Sequence, residues 1–136
     1  MADDFNAQII KEFRANGGKV GGPFGGAPVV LLTSTGAKSG RSHTTPLVYL
    51  ADGDRIVVFA SMGGAPTNPA WYYNLRAHPD ASIEIGTETR PVKAVITSGE
   101  ERDRLFRRQV SIFPTFGEYE QKTTRTIPVV ALERTD

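Results

Sequence analysis

The sequence predicts a mainly β protein with helices (α+β), built as a small barrel or strongly curved sheet of about six antiparallel strands. Short apolar or alternating runs recur from Pro28 onward: "PVVLLTST", "TTPLVYLAD", "DRIVVFAS", "ASIEIG", "TRPVKAVITS" and "TIPVVALER". Short turns join them, and Asp52-Gly53 is a hairpin signal because both residues tolerate the positive φ of a type I′ turn. Helical signals are confined to the N-terminus and to two insertions between strands.

Taken in order, "MADDFNAQIIKEFRANGG" places Phe5, Ile9, Ile10 and Phe13 on one helical face. A short helix packing on the domain is expected; the alternative is a segment that covers a site or touches a membrane interface. Its acidic start and lack of a long apolar run do not describe a signal peptide, and no stretch approaches a membrane span. "GGKVGGPFGGAP", Gly17 to Pro28, fits neither the dinucleotide fingerprint nor a phosphate loop and is expected to be an extended connector, or a strap over a ligand. The chain thus divides into a helix and connector, 1–27, and a barrel, 28–136, within a single domain.

Among the strands, Ala81, Ile83 and Ile85 alternate with Ser82 and Glu84, so one face is expected to be buried, as with Val92, Ala94 and Ile96 in the next run. The first inserted helix, "NPAWYYNLRAHP", has Asn68 as expected N-cap and Pro69 at the first helical position, and stops at His78-Pro79. The second opens on "SGEE", a capping box of Ser98 and Glu101. It runs through Leu105, Phe106 and Val110 toward Phe113-Pro114, with Arg102, Arg104, Arg107 and Arg108 expected on a solvated face.

Composition narrows the function classes. The 136 residues suit one domain with a real core, and a net charge of +1 gives no field that would select nucleic acid or an acidic membrane as main partner. Without cysteine there is no disulfide, thiolate nucleophile or iron–sulfur site. His43 and His78 are the only histidines, and neither a nucleophile elbow nor a zinc or calcium motif is present, so no metal is expected. Chemistry, if any, must come from a bound cofactor.

Two stretches could hold one. "LLTSTGAKSGRSHTTPLVYL" sets Lys38 and Arg41 among Ser39, Ser42, Gly36 and Gly40, a loop rich in anion-binding donors; the alternative is an ordinary exposed turn. "FASMGGAPTNPAWYYNLRAHP" leaves a strand at Ser61 and enters a helix whose N-terminus favours anions, with Trp71, Tyr72 and Tyr73 just behind. Those aromatics either wall a planar ring or fill the core. Together the stretches describe a cleft for a flat, phosphorylated cofactor.

The succession of "LLTSTGAKSGRSHTTPLVYL", "FASMGGAPTNPAWYYNLRAHP" and "RTIPVVALER" resembles the deazaflavin-dependent nitroreductase family, from about Pro28 onward. These are actinobacterial-type reductases using coenzyme F420, an 8-hydroxy-5-deazaflavin, on a split β-barrel related to FMN-binding barrels. The resemblance implies that Lys38, Ser39, Gly40 and Arg41 hold the cofactor's phosphate and acidic tail. Pro46, Ala60, Ser61, Met62, Asn68 and Trp71 would line the ring and its linker, and Ser61 and Tyr119 would serve catalysis. On the substrate side it implies Val48, Phe113, Phe116 and Tyr119. Here Val48, Phe113 and Phe116 stand where tyrosines occur in the nitroreductase branch, and Met62 where lysine is seen in activators of bicyclic nitroimidazoles.

The activity implied is hydride transfer from reduced deazaflavin to quinones, enones and, less readily, nitro compounds. An FMN-binding reductase of the same fold and a non-catalytic deazaflavin-binding protein are the alternatives. The expected partner is a small-molecule acceptor, without nucleic acid or an integral membrane segment; related barrels pair as homodimers. The expected location is the cytoplasm, with peripheral attachment at the inner membrane face as a second option.

Overall fold

A computed structural model describes residues 2–21 and 27–135 of the chain. Helix α1 (Ala2–Ala15) precedes strands β1 (Val29–Thr35), β2 (Ser42–Asp52) and β3 (Arg55–Phe59). A single 3-10 turn (Met62–Gly64) and helix α2 (Ala70–Ala77) lead to β4 (Asp80–Ile85) and β5 (Glu88–Ile96). Helices α3 (Gly99–Ile112) and α4 (Thr115–Gln121) then come before the last strand, β6 (Val129–Arg134). The strands close a barrel in the order β1-β2-β3-β6-β5-β4, every neighbouring pair antiparallel and β4 returning to β1.

The continuous apolar runs are explained by what lies on their two faces. Val30 and Leu32 of β1, Ile56 and Val58 of β3, and Val130 and Leu132 of β6 point into the barrel, where Trp71 and Leu75 of α2 join them. Their neighbours point outward but stay buried. Val29 and Leu31 pack under Ile9 and Phe13 of α1, while Val57, Phe59, Val129 and Ala131 pack under Leu105 and Phe106 of α3. A strand covered on both sides loses its alternation and reads as an unbroken hydrophobic run. Each large side chain so buried contributes roughly 1.5–3 kcal/mol, which is why α1 and α3 stay docked.

Several local expectations need correction. The β2–β3 hairpin turns at Gly53-Asp54, not Asp52-Gly53: Asp52 still pairs with Arg55, and only Gly53, at φ 61°, takes positive φ. That is the pattern of a II′ turn. Val92 and Ala94 face the barrel core, but Ile96 at the strand end is 42% exposed. Three helices, not two, interrupt the strands, because the chain resumes as α4 after the break at Phe113-Pro114.

The caps also differ. Pro69, not Asn68, occupies the N-cap of α2, and Ser98 caps α3 without a side-chain hydrogen bond, so the capping box does not form. Glu101 instead pairs with Arg55. The arginines of α3 are not simply solvated: Arg104 and Arg108 reach Asp52, and Arg102 donates to the Ile127 carbonyl. Of the glycine-rich connector, 22–26 lie outside the described residues. Phe5 of α1 is 41% exposed, whereas Ile9 and Phe13 are buried.

Candidate active site

Strand β2 pairs with β1 along Ser42 to Val48, but with β3 only from Tyr49 onward. Among the described residues the first half of β2 therefore has one edge free of strand partners, and Pro46, which has no N–H to donate, sits in that half opposite Leu31. A groove runs along the open edge. One part, about 1070 Å³, is lined at its end by Lys38, Ser39, Ser42 and His43, and across from β2 by Trp71, Tyr73 and Asn74 of α2. The other, about 400 Å³, is bounded by Pro46, Val48, Phe59, Ser61, Phe116 and Tyr119. Asn6, Thr45, Met62, Pro69 and Trp71 border both parts, so they are one continuous groove.

Its electrostatics are one-sided. Among the described residues no carboxylate lines either part, and neither Lys38 nor Arg41 has a carboxylate partner. The loop carrying them is folded by its own backbone: the Gly36 N–H donates to the Arg41 carbonyl at 2.7 Å and the Gly40 N–H to the Gly36 carbonyl at 3.0 Å. The Arg41 N–H donates to Ser39 Oγ at 3.2 Å. Asn74 of α2 ties the loop down, accepting from the Ala37 N–H at 3.0 Å and donating to the buried Ser34 Oγ at 3.4 Å.

At the other end the wall is aromatic. Phe116 stacks edge-on against Tyr119 at 5.4 Å and against Phe59 at 5.7 Å. Between the two ends the segment after β3 enters the groove. Ser61 is only 7% exposed and its hydroxyl makes no hydrogen bond among the described residues, while Met62 is 54% exposed. Met62 is also the single described non-glycine residue at positive φ, 48°.

The structure brings together Lys38, Ser39, Pro46, Val48, Ser61, Met62, Trp71, Phe116 and Tyr119 along this groove. It leaves five expected residues outside. Gly40 and Arg41 are exposed and do not line the groove. Ala60 is fully buried in the barrel core, and Phe113 stands behind Phe116 at 6.4 Å between ring centroids. Asn68 does not line it either, because its Oδ1 accepts from Arg125 Nη1 at 2.7 Å. Trp71 belongs to the barrel core and to the groove wall at once.

Sequence reasoning passed over Asn6, Asn74 and Arg125, named His43 without giving it a site role, and offered Tyr73 only as one of three aromatics that wall a ring or fill the core. His43 was legible from the strand: it lies opposite Ser34, on the open-edged part of β2 beside the loop. Asn74 and Arg125 act through hydrogen bonds to other segments, 37 and about 60 residues away in sequence, and carry no local signal. Burial holds the Arg125 guanidinium below its ordinary pKa, with nearby Tyr73 working against the shift.

A closed six-stranded barrel with Lys38 at the end of a groove that no described carboxylate lines, along one open strand edge, is the form of a cofactor-binding split barrel. The model of the F420H(2)-dependent quinone reductase family matches residues 7–134, and the chain belongs to that family. Its cofactor is therefore coenzyme F420. An F420H(2)-dependent quinone reductase of Mycobacterium tuberculosis (strain ATCC 25618 / H37Rv) is 37% identical over 126 residues, covering 90% of this chain and 85% of the relative. Among solved structures, an F420-H2 dependent reductase (FDR-A) superposes with a TM-score of 0.72 at 39% identity, over 78% of this chain and 94% of that one. A domain-swapped dimer superposes with a TM-score of 0.74 at 34% identity, over 97% and 98%. The family that matches is the quinone-reducing one, within the deazaflavin resemblance read from the sequence.

Proposed function

We propose that this groove binds reduced coenzyme F420 and presents it to quinones, with enones and nitro compounds as poorer acceptors. One observation carries the reading: an open strand edge borders a groove with Lys38 at one end, aromatic and aliphatic walls at the other, and no carboxylate among the described residues between them. A long molecule with an acidic tail and a flat ring fits that polarity; a neutral or cationic ligand would leave Lys38 without a counter-charge.

In this assignment Lys38 and Ser39, flanked by Ser42 and His43, hold the phosphate and acidic tail. Gly40 and Arg41 shape the loop, and Arg41 adds a second, outlying charge. Pro46, Met62 and Trp71 wall the ring, while Ala60 and Asn68 hold that wall from behind. The deazaflavin, when bound, supplies a hydride from ring carbon 5, where two-electron chemistry is favoured over one-electron chemistry. The protein's task is placement. Ser61 donates its free hydroxyl to the ring or the acceptor, and Tyr119 offers an O–H to the acceptor oxygen that gains charge. Val48 and Phe116, with Phe113 behind, keep the acceptor end apolar.

Residues 28–136 form the cofactor-binding unit in this reading, and 1–27 complete the rim through Asn6. The domain-swapped relative supports a homodimer. We place the enzyme in the cytoplasm; no helix among the described residues is long and apolar enough to cross a membrane. The deciding experiment is fluorescence titration with F420 and with FMN, followed by a steady-state panel with reduced F420. Tight F420 binding with quinone turnover is expected. Tighter FMN binding, or F420 binding with no turnover on any quinone, enone or nitro compound, would overturn the assignment.

A further inference from the structure

Arg125 lies in the irregular segment between α4 and β6, and four of the five N–H groups of a guanidinium fork are engaged there. Nη1 donates to the Ala60 carbonyl at 3.0 Å and Nη2 to the Ser61 carbonyl at 2.7 Å, at the start of the segment that leaves β3. Nε donates to the Ala65 carbonyl at 2.9 Å and Nη1 to Asn68 Oδ1 at 2.7 Å, at its end. One side chain thus pins both ends of the segment, and between the pins lies Met62 at φ 48°.

A side chain at positive φ is strained and persists only where the surroundings over-determine it. The 3-10 turn supplies two bonds of its own, from the Gly64 N–H to the Ser61 carbonyl and from the Ala65 N–H to the Met62 carbonyl, at 2.9 and 3.1 Å. Those close the turn without anchoring it to the barrel. Arg125 does the anchoring, and it has no carboxylate partner among the described residues. Every engaged N–H is spent on this one segment.

We propose that Arg125 is a positioning residue for the ring end of the groove: its fork holds the 60–68 segment in the strained form that sets Ser61 and Met62 against the bound ring. The inference rests on the deazaflavin reading. Lysine cannot replace the fork, because an ammonium is a point donor without planar, divergent N–H groups. Arg125→Lys thus keeps the charge and loses the geometry. None of the bonds made by the fork reaches the loop that carries Lys38.

The test has three arms. In the cofactor-free protein, amide exchange over 61–68 rises at least about tenfold in Arg125→Lys while the β1 and β6 amides stay protected. F420 and a tail-less deazaflavin riboside both bind about tenfold more weakly to that variant, by the same factor, because only the ring end is disturbed. Glycine accepts φ 48° without strain, so the Arg125→Lys penalty shrinks at least about threefold in a Met62→Gly background.

Unchanged exchange over 61–68, a penalty confined to the tailed cofactor, or equal penalties in both backgrounds would overturn the proposal. If Arg125→Lys does not fold, Asn68→Ala, which removes one acceptor of the fork, takes its place: amide exchange over 61–68 is expected to rise, and unchanged exchange overturns the proposal. Failure of the parent protein to bind any deazaflavin would instead remove the cofactor reading, with the exchange arm still judging the anchor.

Discussion

Asn74 Oδ1 accepts a hydrogen bond from the Ala37 N–H at 3.0 Å, so a buried side chain of α2 holds the loop that carries Lys38. The helix that walls the ring and the loop that grips the tail are therefore one mechanical piece. Asn74→Leu removes the acceptor and leaves Ser34 Oγ, which is 2% exposed, without its donor. The expected cost is about 1–3 kcal/mol in stability and about tenfold in F420 affinity. Thermal melting and fluorescence titration measure both. Native affinity in a destabilised Asn74→Leu protein would show that the loop orders itself without α2.

Lys38 and Arg41 were equivalent in the sequence and are not equivalent in the fold, since Lys38 lines the groove and Arg41 does not. Lys38→Ala is expected to weaken F420 binding about tenfold or more and to flatten its dependence on salt. Arg41→Ala is expected to cost about threefold or less, the share of an exposed charge at longer range. Titrations of the two variants at low and at physiological ionic strength separate them. An Arg41→Ala loss as large as that of Lys38→Ala would place the tail on the outer side of the loop.

What the sequence disclosed and what it hid follow from range. The strands were legible because β1, β3 and β6 are covered on both faces and show unbroken apolar runs. The groove's ends were legible because "TGAKSGR" and "NPAW" concentrate donors and aromatics locally. The caps were not, because the partners that displaced them lie far away: Arg125 takes Asn68, and Arg55 takes Glu101. Asp52, expected as a turn residue, became the acceptor for three arginines once α3 docked beside the hairpin.

That Asp52 cluster sets an acid limit on stability. Hydrogen bonding to Arg55 first, then the pull of Arg104, holds the Asp52 carboxyl below its usual pKa, and burial works against them. A carboxyl with a lower value in the folded state stabilises fully above about pH 4–5 and loses its contribution as pH falls through the folded value. Asp52→Asn is expected to cost about 1–2 kcal/mol at neutral pH, discounted because Arg104 and Arg108 are 44% and 42% exposed. The difference should close only as pH falls through the lowered folded-state value, below which both proteins carry a neutral side chain. Urea melts across that range test it; a gap that persists in acid would mean the arginines do not depend on the charge.

Gln109 points to a stabilising change. It is fully buried in α3, and neither Nε2 nor Oε1 finds a hydrogen-bond partner among the described residues. A buried amide left without partners costs about 1–3 kcal/mol, while methionine has similar length and no such demand. Gln109→Met should raise stability by about 1 kcal/mol or more with F420 affinity unchanged. Loss of stability in the melt would show that the amide is satisfied in solution.

The acceptor end of the groove sets the last prediction. Val48 and Phe116 offer no hydrogen-bond donor there, and Tyr119 is the one hydroxyl on that aromatic wall. A quinone needs a flat apolar slot and one donor at its oxygen, whereas a nitro group distributes growing charge over two oxygens and gains from further donors. The native enzyme should therefore favour a small quinone over a bicyclic nitroimidazole by at least about tenfold in kcat/KM. Each hydroxyl that reaches the nitro group recovers about 0.7 kcal/mol, so Val48→Tyr with Phe116→Tyr should narrow that ratio about tenfold. Tyr119→Phe should lower quinone turnover through kcat more than through KM, as expected for a donor felt mainly as charge develops. Competition assays with reduced F420 give the two acceptor ratios, saturation curves in quinone separate kcat from KM for Tyr119→Phe, and equal use of both acceptors by the native protein would refute the apolar-slot account.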